Sequence, residues 1–257
     1  MNIIRVIKSQ LWKLRFLIQT NAPFWAIKAH FFKLIKRFFT GVNAKYVDQR
    51  EQFKEKINEL SFDTDWFTNN IPNWLDVFQK EGFAPSQRLS VLEIGSWQGM
   101  SSYFIVSYFR NAELTCVDTW GGEETRRATS TEISGNSEAA FDSNLSEFSN
   151  RITKFKGSSS SFFHKNFILE KFDLIYVDGA HHSDDLMVDA IKSFESLKVG
   201  GLIIFDDYLW KFYDEAKENP AGALNAFLRM KWHQLKICNV GYQLVLRKTS
   251  SSTKIDN

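Results

Sequence analysis

The stretch Val91-Leu92-Glu93-Ile94-Gly95-Ser96-Trp97-Gln98-Gly99-Met100-Ser101 decides how the chain folds. A short apolar run suited to a buried strand ends at Ile94, a turn with glycine at each end follows, and a helix opens after Gly99. Glycines there let the backbone approach a ligand closely, and the first amides of the helix would face it. About twenty residues on, a second strand-like run from Leu114 to Val117 ends at Asp118, where a carboxylate can accept hydrogen bonds from ribose hydroxyls. Strand, glycine turn, helix, strand and acid form a layout for holding a nucleoside. A dinucleotide fingerprint is disfavoured, because it would need glycine where Trp97 stands. Taken alone, the two glycines could do no more than close a tight turn.

Downstream the alternation continues. Ser90 to Ile94, Leu114 to Val117, Ile152 to Phe155, Leu174 to Val177 and Leu202 to Phe205 are short apolar runs separated by helical patterns. Alternation of this kind predicts a doubly wound, mostly parallel α/β sheet. Trp232 to Cys238 and Tyr242 to Arg247, flanking Asn239-Val240-Gly241, read as a closing hairpin and bring the sheet to seven strands. Leu186 to Leu197 reads as an apolar helix and Gly200-Gly201 as a turn. Residues 119–150 read as a long loop with one helix, of the kind that often borders a binding site. Residues 46–80 read as helix with Pro72 near a helix start, and a tail from Thr249 is expected to be disordered.

In front of this lies a segment of different character. Residues 1–45 hold nine Lys/Arg, no acid and eight aromatic residues, leaving 23 bases against 30 acids in the remainder of the 257. Apolar residues recur at helical spacing from Ile3 to Ile18 and, after Pro23, from Phe24 to Phe39. On a helical wheel Phe24, Ile27, Phe31, Phe32, Leu34, Ile35, Phe38 and Phe39 share one side; His30, Lys33, Lys36 and Arg37 share the other, and Lys28 is the exception. The chain therefore divides into a basic amphipathic helical extension at 1–45, a catalytic domain at 46–248 with its core from about residue 62, and a tail at 249–257. No apolar run is long enough to span a bilayer, and charges interrupt any secretory signal. The expected location is cytoplasmic, peripheral at the inner face of a membrane, with an anionic surface as partner for residues 1–45; packing on the acidic body as a lid, or a homo-oligomer, is the competing use of that segment. The acidic body argues against nucleic acid. Cys116 and Cys238 match neither a zinc pattern nor a disulfide framework and read as buried thiols.

Four stretches then occur in order: Glu-Ile-Gly-Ser-Trp-Gln-Gly at 93–99, Thr-Cys-Val-Asp-Thr-Trp at 115–120, Phe-Asp-Leu-Ile-Tyr-Val-Asp-Gly-Ala-His at 172–181 and Leu-Lys-Val-Gly-Gly-Leu-Ile-Ile-Phe-Asp-Asp-Tyr at 197–208. They resemble successive motifs of class I S-adenosylmethionine-dependent methyltransferases, with the nearest likeness to macrocin-type sugar O-methyltransferases and a more distant one to catechol O-methyltransferases. The resemblance covers roughly residues 62–247 and leaves out residues 1–45. It implies a Rossmann-like methyltransferase fold. It also implies that Glu93, Gly95 and Gly99 shape the pocket for the methionine part of S-adenosylmethionine, that Ser96 and Trp97 between them belong to the cofactor site, that Ser101 contacts the carboxylate and that Asp118 holds the ribose. Ser159 would lie at the adenine, where a solvated helix start with a serine cap is the competing reading. Asp178 would also touch the cofactor.

Asp178 ends the fourth strand and Asp206-Asp207 the fifth, so adjacent parallel strands would bring three carboxylates to one edge. Clustered carboxylates resist ionising together unless a cation joins them, and an oxygen-only set favours Mg²⁺ (or Mn²⁺) over zinc. A turn cap at Asp206-Asp207 is the alternative. Methyl transfer to a hydroxyl needs its proton removed, and the resemblance to catechol O-methyltransferases, which carry a basic lysine at the same offset, implies His181, three residues after Asp178, as the base; orienting a neighbouring ligand or a helix-start contact is the alternative, and His182 is the lesser candidate. The expected reaction is metal-assisted methylation of a small-molecule or sugar hydroxyl. A metal-dependent hydroxylase and a non-catalytic binding protein are the alternatives.

Overall fold

In the computed structural model, residues 3–40, 45–121 and 136–251 are described, with side chains from residue 8 to 35 in the first two helices. The chain forms two compact units, residues 41–167 and residues 1–40 with 168–257. Seven strands form one mostly parallel sheet with flanking helices, the doubly wound fold that the alternation predicts.

The described helices run α1 (Ile3–Gln19), α2 (Phe24–Thr40), α3 (Val47–Lys56), α4 (Ile71–Glu81), α5 (Met100–Tyr108), α6 (Ser137–Asn144), α7 (Ser159–Asn166), α8 (Ser183–Ser196) and α9 (Pro220–Lys231). The strands are β1 (Arg88–Ile94), β2 (Asn111–Asp118), β3 (Ile152–Lys156), β4 (Phe172–Val177), β5 (Leu197–Phe205), β6 (Leu235–Val240) and β7 (Leu244–Lys248).

In the unit of residues 41–167, β1 pairs in parallel with β2 and β2 with β3, in a register that sets Ile94 against Val117 and Asp118 against Lys156. Thus β1 and β2 end side by side, which brings the glycine turn to Asp118. Beneath them Phe53, Phe67, Trp74 and Phe104 pack edge to face, with ring centroids 5.0–6.3 Å apart. Each such ring contributes about 1.5–3 kcal/mol by leaving water. The expected helix over 46–80 is two helices, α3 and α4, and Pro72 lies in the first turn of α4, where a missing amide costs nothing.

In the other unit β4 and β5 are parallel, while β7 runs antiparallel to both β5 and β6. The closing hairpin is therefore present. Gly200, expected in a turn, lies inside β5 with φ +86, and the β4–β5 register shifts between Phe172 and Leu174. Cys238 is only partly buried, unlike Cys116, because β6 is the edge strand of the sheet while β2 lies inside it. The first three tail residues are held: Thr249 N donates to Gln234 O at 2.8 Å and Gln234 Nε2 to Ser251 O at 2.6 Å. The rest of the expected tail lies outside the described residues.

Residues 1–40 are part of this second unit, not an appendage. Thr20 and Asn21, just past the end of α1, are fastened to α9: Asn225 Nδ2 donates to Thr20 Oγ1 at 2.9 Å, Arg229 donates to Asn21 O at 2.9 Å, and Tyr208 Oη donates to Asn225 Oδ1 at 2.6 Å. The wheel sets His30 opposite Phe24, Phe31, Phe32 and Ile35, and the structure shows which of the two sides is inward. His30 and Ala26 are buried on the face that packs toward β6, and Phe24, Phe31, Phe32 and Ile35 face out. The side chains of Lys36, Arg37, Phe38 and Phe39, also placed on the wheel, lie outside those described.

Candidate active site

The unit of residues 41–167 carries the glycine turn. Gly95 (φ +85) leaves β1 and its amide donates to Val117 O at 2.9 Å, so the turn begins on the neighbouring strand. The amides of Ser96 and Trp97 both donate to Asp118 Oδ2 at 2.8 Å, and the amide of Trp120 donates to Oδ1 at 2.7 Å. A carboxylate has about four acceptor positions. Three of Asp118's are taken by backbone, so it organises the turn whatever else it binds. Trp97 and Trp120 are both held at positive φ, +42 and +46, and Trp120 Nε1 donates to Trp97 O at 2.8 Å. For non-glycine residues such backbone costs on the order of 1 kcal/mol or more, and it persists because Asp118 fixes both sides. Trp120 lies in the 115–120 motif, but its left-handed backbone has no signal in the sequence.

Gly99 (φ +85) precedes α5, and a Cβ there would lie 2.7 Å from Leu145 Cδ1 and 3.0 Å from Phe141 Cδ2. Only glycine fits both that backbone and that space. Ser101 is buried in the first turn of α5. Trp66 is exposed and stacks on Trp97 with ring centroids 4.7 Å apart.

Glu93 is fully buried, accepts a bond from Ser102 Oγ, and burial pushes its carboxyl pKa up. Its Oε1 and the Ser96 hydroxyl are buried without a hydrogen-bond partner. Buried polar atoms are rarely left unpaired. An orphaned acceptor beside a glycine turn and a helix start fits the charged amino-acid end of S-adenosylmethionine. Ser158, not Ser159, caps α7, its Oγ accepting from Ser161 N at 3.1 Å; Ser159 is the first helical residue.

The other unit carries the acids. Parallel pairing of β4 and β5 sets Val177 against Phe205, so Asp178 and Asp206-Asp207 leave the sheet together. Asp178, His181 and Asp207 each offer a ligand atom, and all three lie within 4.8 Å of one another. For a cation with oxygens at about 2.1 Å, opposite ligands stand about 4.2 Å apart, so the group needs only slight closure to hold one ion. His181 Nε2 lies 2.8 Å from Asp207 Oδ2, and Asp207 is held at φ +54.

The expected metal set was Asp178, Asp206 and Asp207. Asp206 is turned elsewhere: it accepts from the Tyr176 hydroxyl, from Gln243 Nε2 at 3.0 Å and from the amide of Asp207 at 2.8 Å. His181 stands in its place in the converging group. Tyr176 Oη also lies 2.9 Å from Asp178 Oδ2. A phenol carries one proton, so it can donate to only one of the two carboxylates, and a proton or a cation is needed to relieve the other. Consistent with this, burial, then the charges of Asp206 and Asp207, drive the Asp178 pKa well above the carboxylate range. Burial and the Asp207 charge push Asp206 up to about 6. Such repulsion is what a divalent cation relieves.

Around the acids, the Trp210 ring lies 5.1 Å from His181 and stacks on Phe212, while burial and the bond to Asp207 raise the Tyr242 pKa. His182 caps α8 through a 3.4 Å contact from Asp184 N to its Nδ1 and stands apart from the converging group. Tyr176 lies in the 172–181 motif, where nothing local marks it as the partner of two acids. Gln243 and Tyr242 had no signal, because the hairpin that delivers them is read only as alternation.

Comparisons with known proteins agree with the motif reading. Residues 92–208 match the family model described as a methyltransferase domain, so the likeness to class I S-adenosylmethionine-dependent methyltransferases holds. No curated protein matches. Among solved structures, a candidate O-methyltransferase from Klebsiella pneumoniae is similar with a TM-score of 0.51 at 15% identity, covering 85% of this chain and 95% of that one. A candidate caffeoyl-CoA O-methyltransferase from Staphylococcus aureus is similar with a TM-score of 0.50 at 16% identity, covering 84% and 100%. The MycE methyltransferase of the mycinamycin pathway, in complex with Mg, SAH and mycinamycin VI, has a TM-score of 0.52 at 16% identity, covering 80% of this chain and 56% of its own. At these identities the likeness establishes the Rossmann-like methyltransferase fold.

Proposed function

We propose that the chain transfers the methyl group of S-adenosylmethionine to a hydroxyl oxygen, with a divalent cation held by Asp178 and Asp207. The observation that carries this reading is the convergence of Asp178, His181 and Asp207 in a chain with a methyltransferase domain. The methyl donor supplies an electrophilic carbon on a sulfonium, and the cation, when bound, lowers the pKa of an oxygen beside it. The rest falls to the protein. The glycine turn, with the orphaned Glu93 Oε1 and Ser96 hydroxyl, binds the amino-acid end of the donor. Asp118 orders that turn and offers its remaining acceptor position to the ribose. Ser101 and Ser159, at the starts of α5 and α7, are the proposed contacts for its carboxylate and adenine.

The acceptor hydroxyl loses its proton as its oxygen bonds to the methyl carbon and the carbon–sulfur pair returns to sulfur. An imidazole titrates near neutrality, and His181, oriented by Asp207, is the group proposed to take that proton. A sugar is the proposed acceptor class: Trp210 and Phe212 offer flat apolar faces beside His181, and the sequence motifs resemble those of macrocin-type sugar O-methyltransferases.

Calorimetry with S-adenosylhomocysteine, and Mn²⁺ binding followed by electron paramagnetic resonance, test the two halves separately. Binding of S-adenosylhomocysteine in excess chelator, with Mn²⁺ binding lost in Asp178→Ala, is expected. Mn²⁺ binding that survives Asp178→Ala and Asp207→Ala together would overturn the metal assignment.

A further inference from the structure

Amphipathic helices normally turn their apolar stripe toward a core. The two N-terminal helices do so only in part. On α1, Phe16 and Leu17 are buried while Leu11, at 61% exposure, and Ile18, at 60%, share an outward face with Leu14. On α2 the inversion is stronger: His30 is 4% exposed and packs inward, while Phe24 is 79% and Phe31 58% exposed, with Phe32 and Ile35 beside them. These seven side chains, three on α1 and four on α2, expose on the order of 700 Å² of apolar surface in all. The inner faces are already satisfied, by Asn225 and Arg229 at the end of α1 and by β6 against α2. Packing on the protein's own body therefore does not account for the outward apolar residues.

The cations decide what covers them. Lys8, Arg15 and Lys28 are exposed on the same outward faces, and residues 1–45 contain no acid. A second copy seated across a two-fold axis would set this basic, apolar face against itself, with no carboxylate within the segment to pair. No described helix is long and apolar enough to cross a membrane. We infer that the outward faces of α1 and α2 lie on an anionic lipid surface, with Phe24, Phe31, Phe32 and Ile18 entering the acyl boundary and Lys8, Arg15 and Lys28 meeting headgroup phosphates. Such a helix pair uses its apolar and basic residues together, and lies in the interface instead of spanning it. The inference does not depend on the reaction proposed above.

The full chain is tested by co-sedimentation with phosphatidylcholine vesicles and with vesicles containing phosphatidylglycerol, at low and high salt, alongside light scattering for its oligomeric state. Binding to the anionic vesicles alone, reversed by salt, is expected. Phe31→Glu with Phe32→Glu should abolish it, and Lys8→Gln with Arg15→Gln and Lys28→Gln should weaken it by about tenfold or more. All five positions are exposed, so the variants should melt like the parent, and S-adenosylhomocysteine binding should be unchanged. Absence of vesicle binding, equal binding to neutral vesicles, or binding that survives Phe31→Glu with Phe32→Glu would overturn the inference. So would a parent oligomer that the Phe31→Glu, Phe32→Glu variant converts to monomers, which would assign the face to a second copy.

Discussion

Replacing Asp206 by asparagine separates what this site costs in stability from what it does. The Asp206 carboxyl is pushed from an ordinary 3.8 up to about 6 by burial and by the charge of Asp207. Its folded pKa is raised, so the folded state binds the extra proton: stability is fullest below about pH 4 and is lost as pH rises through about 6. Above that the loss is constant, and a shift of about two units amounts to about 3 kcal/mol. Asparagine carries no such penalty. It keeps one acceptor oxygen for two of the three donors now on Asp206, and rearranging the third costs about 1 kcal/mol. In chelator, Asp206→Asn should therefore be about 2 kcal/mol more stable than the parent at pH 7.5 and about equal to it near pH 4.5. Loss of the Asp206 charge also eases Asp178, which adds to the gain at high pH. Urea unfolding at both pH values, with m-values compared, measures this. An equal difference at the two pH values, or a variant less stable than the parent at pH 7.5, would refute the reasoning.

Gly99→Ala should destabilise the fold by about 1–3 kcal/mol, because φ +85 and the contacts with Leu145 and Phe141 both oppose a Cβ, and it should weaken S-adenosylhomocysteine binding in calorimetry. Asp118→Ala leaves three backbone amides without their acceptor, so tenfold or greater loss of S-adenosylhomocysteine affinity is expected; unchanged affinity would show that the turn holds its shape alone. His181→Ala should lower methyl transfer to a sugar hydroxyl by about 10²-fold, while His182→Ala, a helix cap, should cost far less activity; the opposite order would move the base.

The order strand, glycine turn, helix, strand, acid was legible in residues 91–118 because each signal is local: apolar runs mark strands, glycine marks backbone that other residues avoid, and a helix start follows. The alternation downstream gave the remaining strands in the same way, and the motifs at 172–181 and 197–208 located the acids. Which acid faces which neighbour was not local. Asp206 and Asp207 are adjacent in sequence, yet the left-handed backbone at Asp207 sends one to Tyr176 and Gln243 and the other to His181. Gln243 reaches Asp206 only because β7 folds back beside β5. The N-terminal helices make the same distinction. Periodicity showed that α2 has two faces, but it carries no sign for inward or outward. That sign is set by the surfaces available to each face, and here β6 takes the face with His30 while the phenylalanines are left outside.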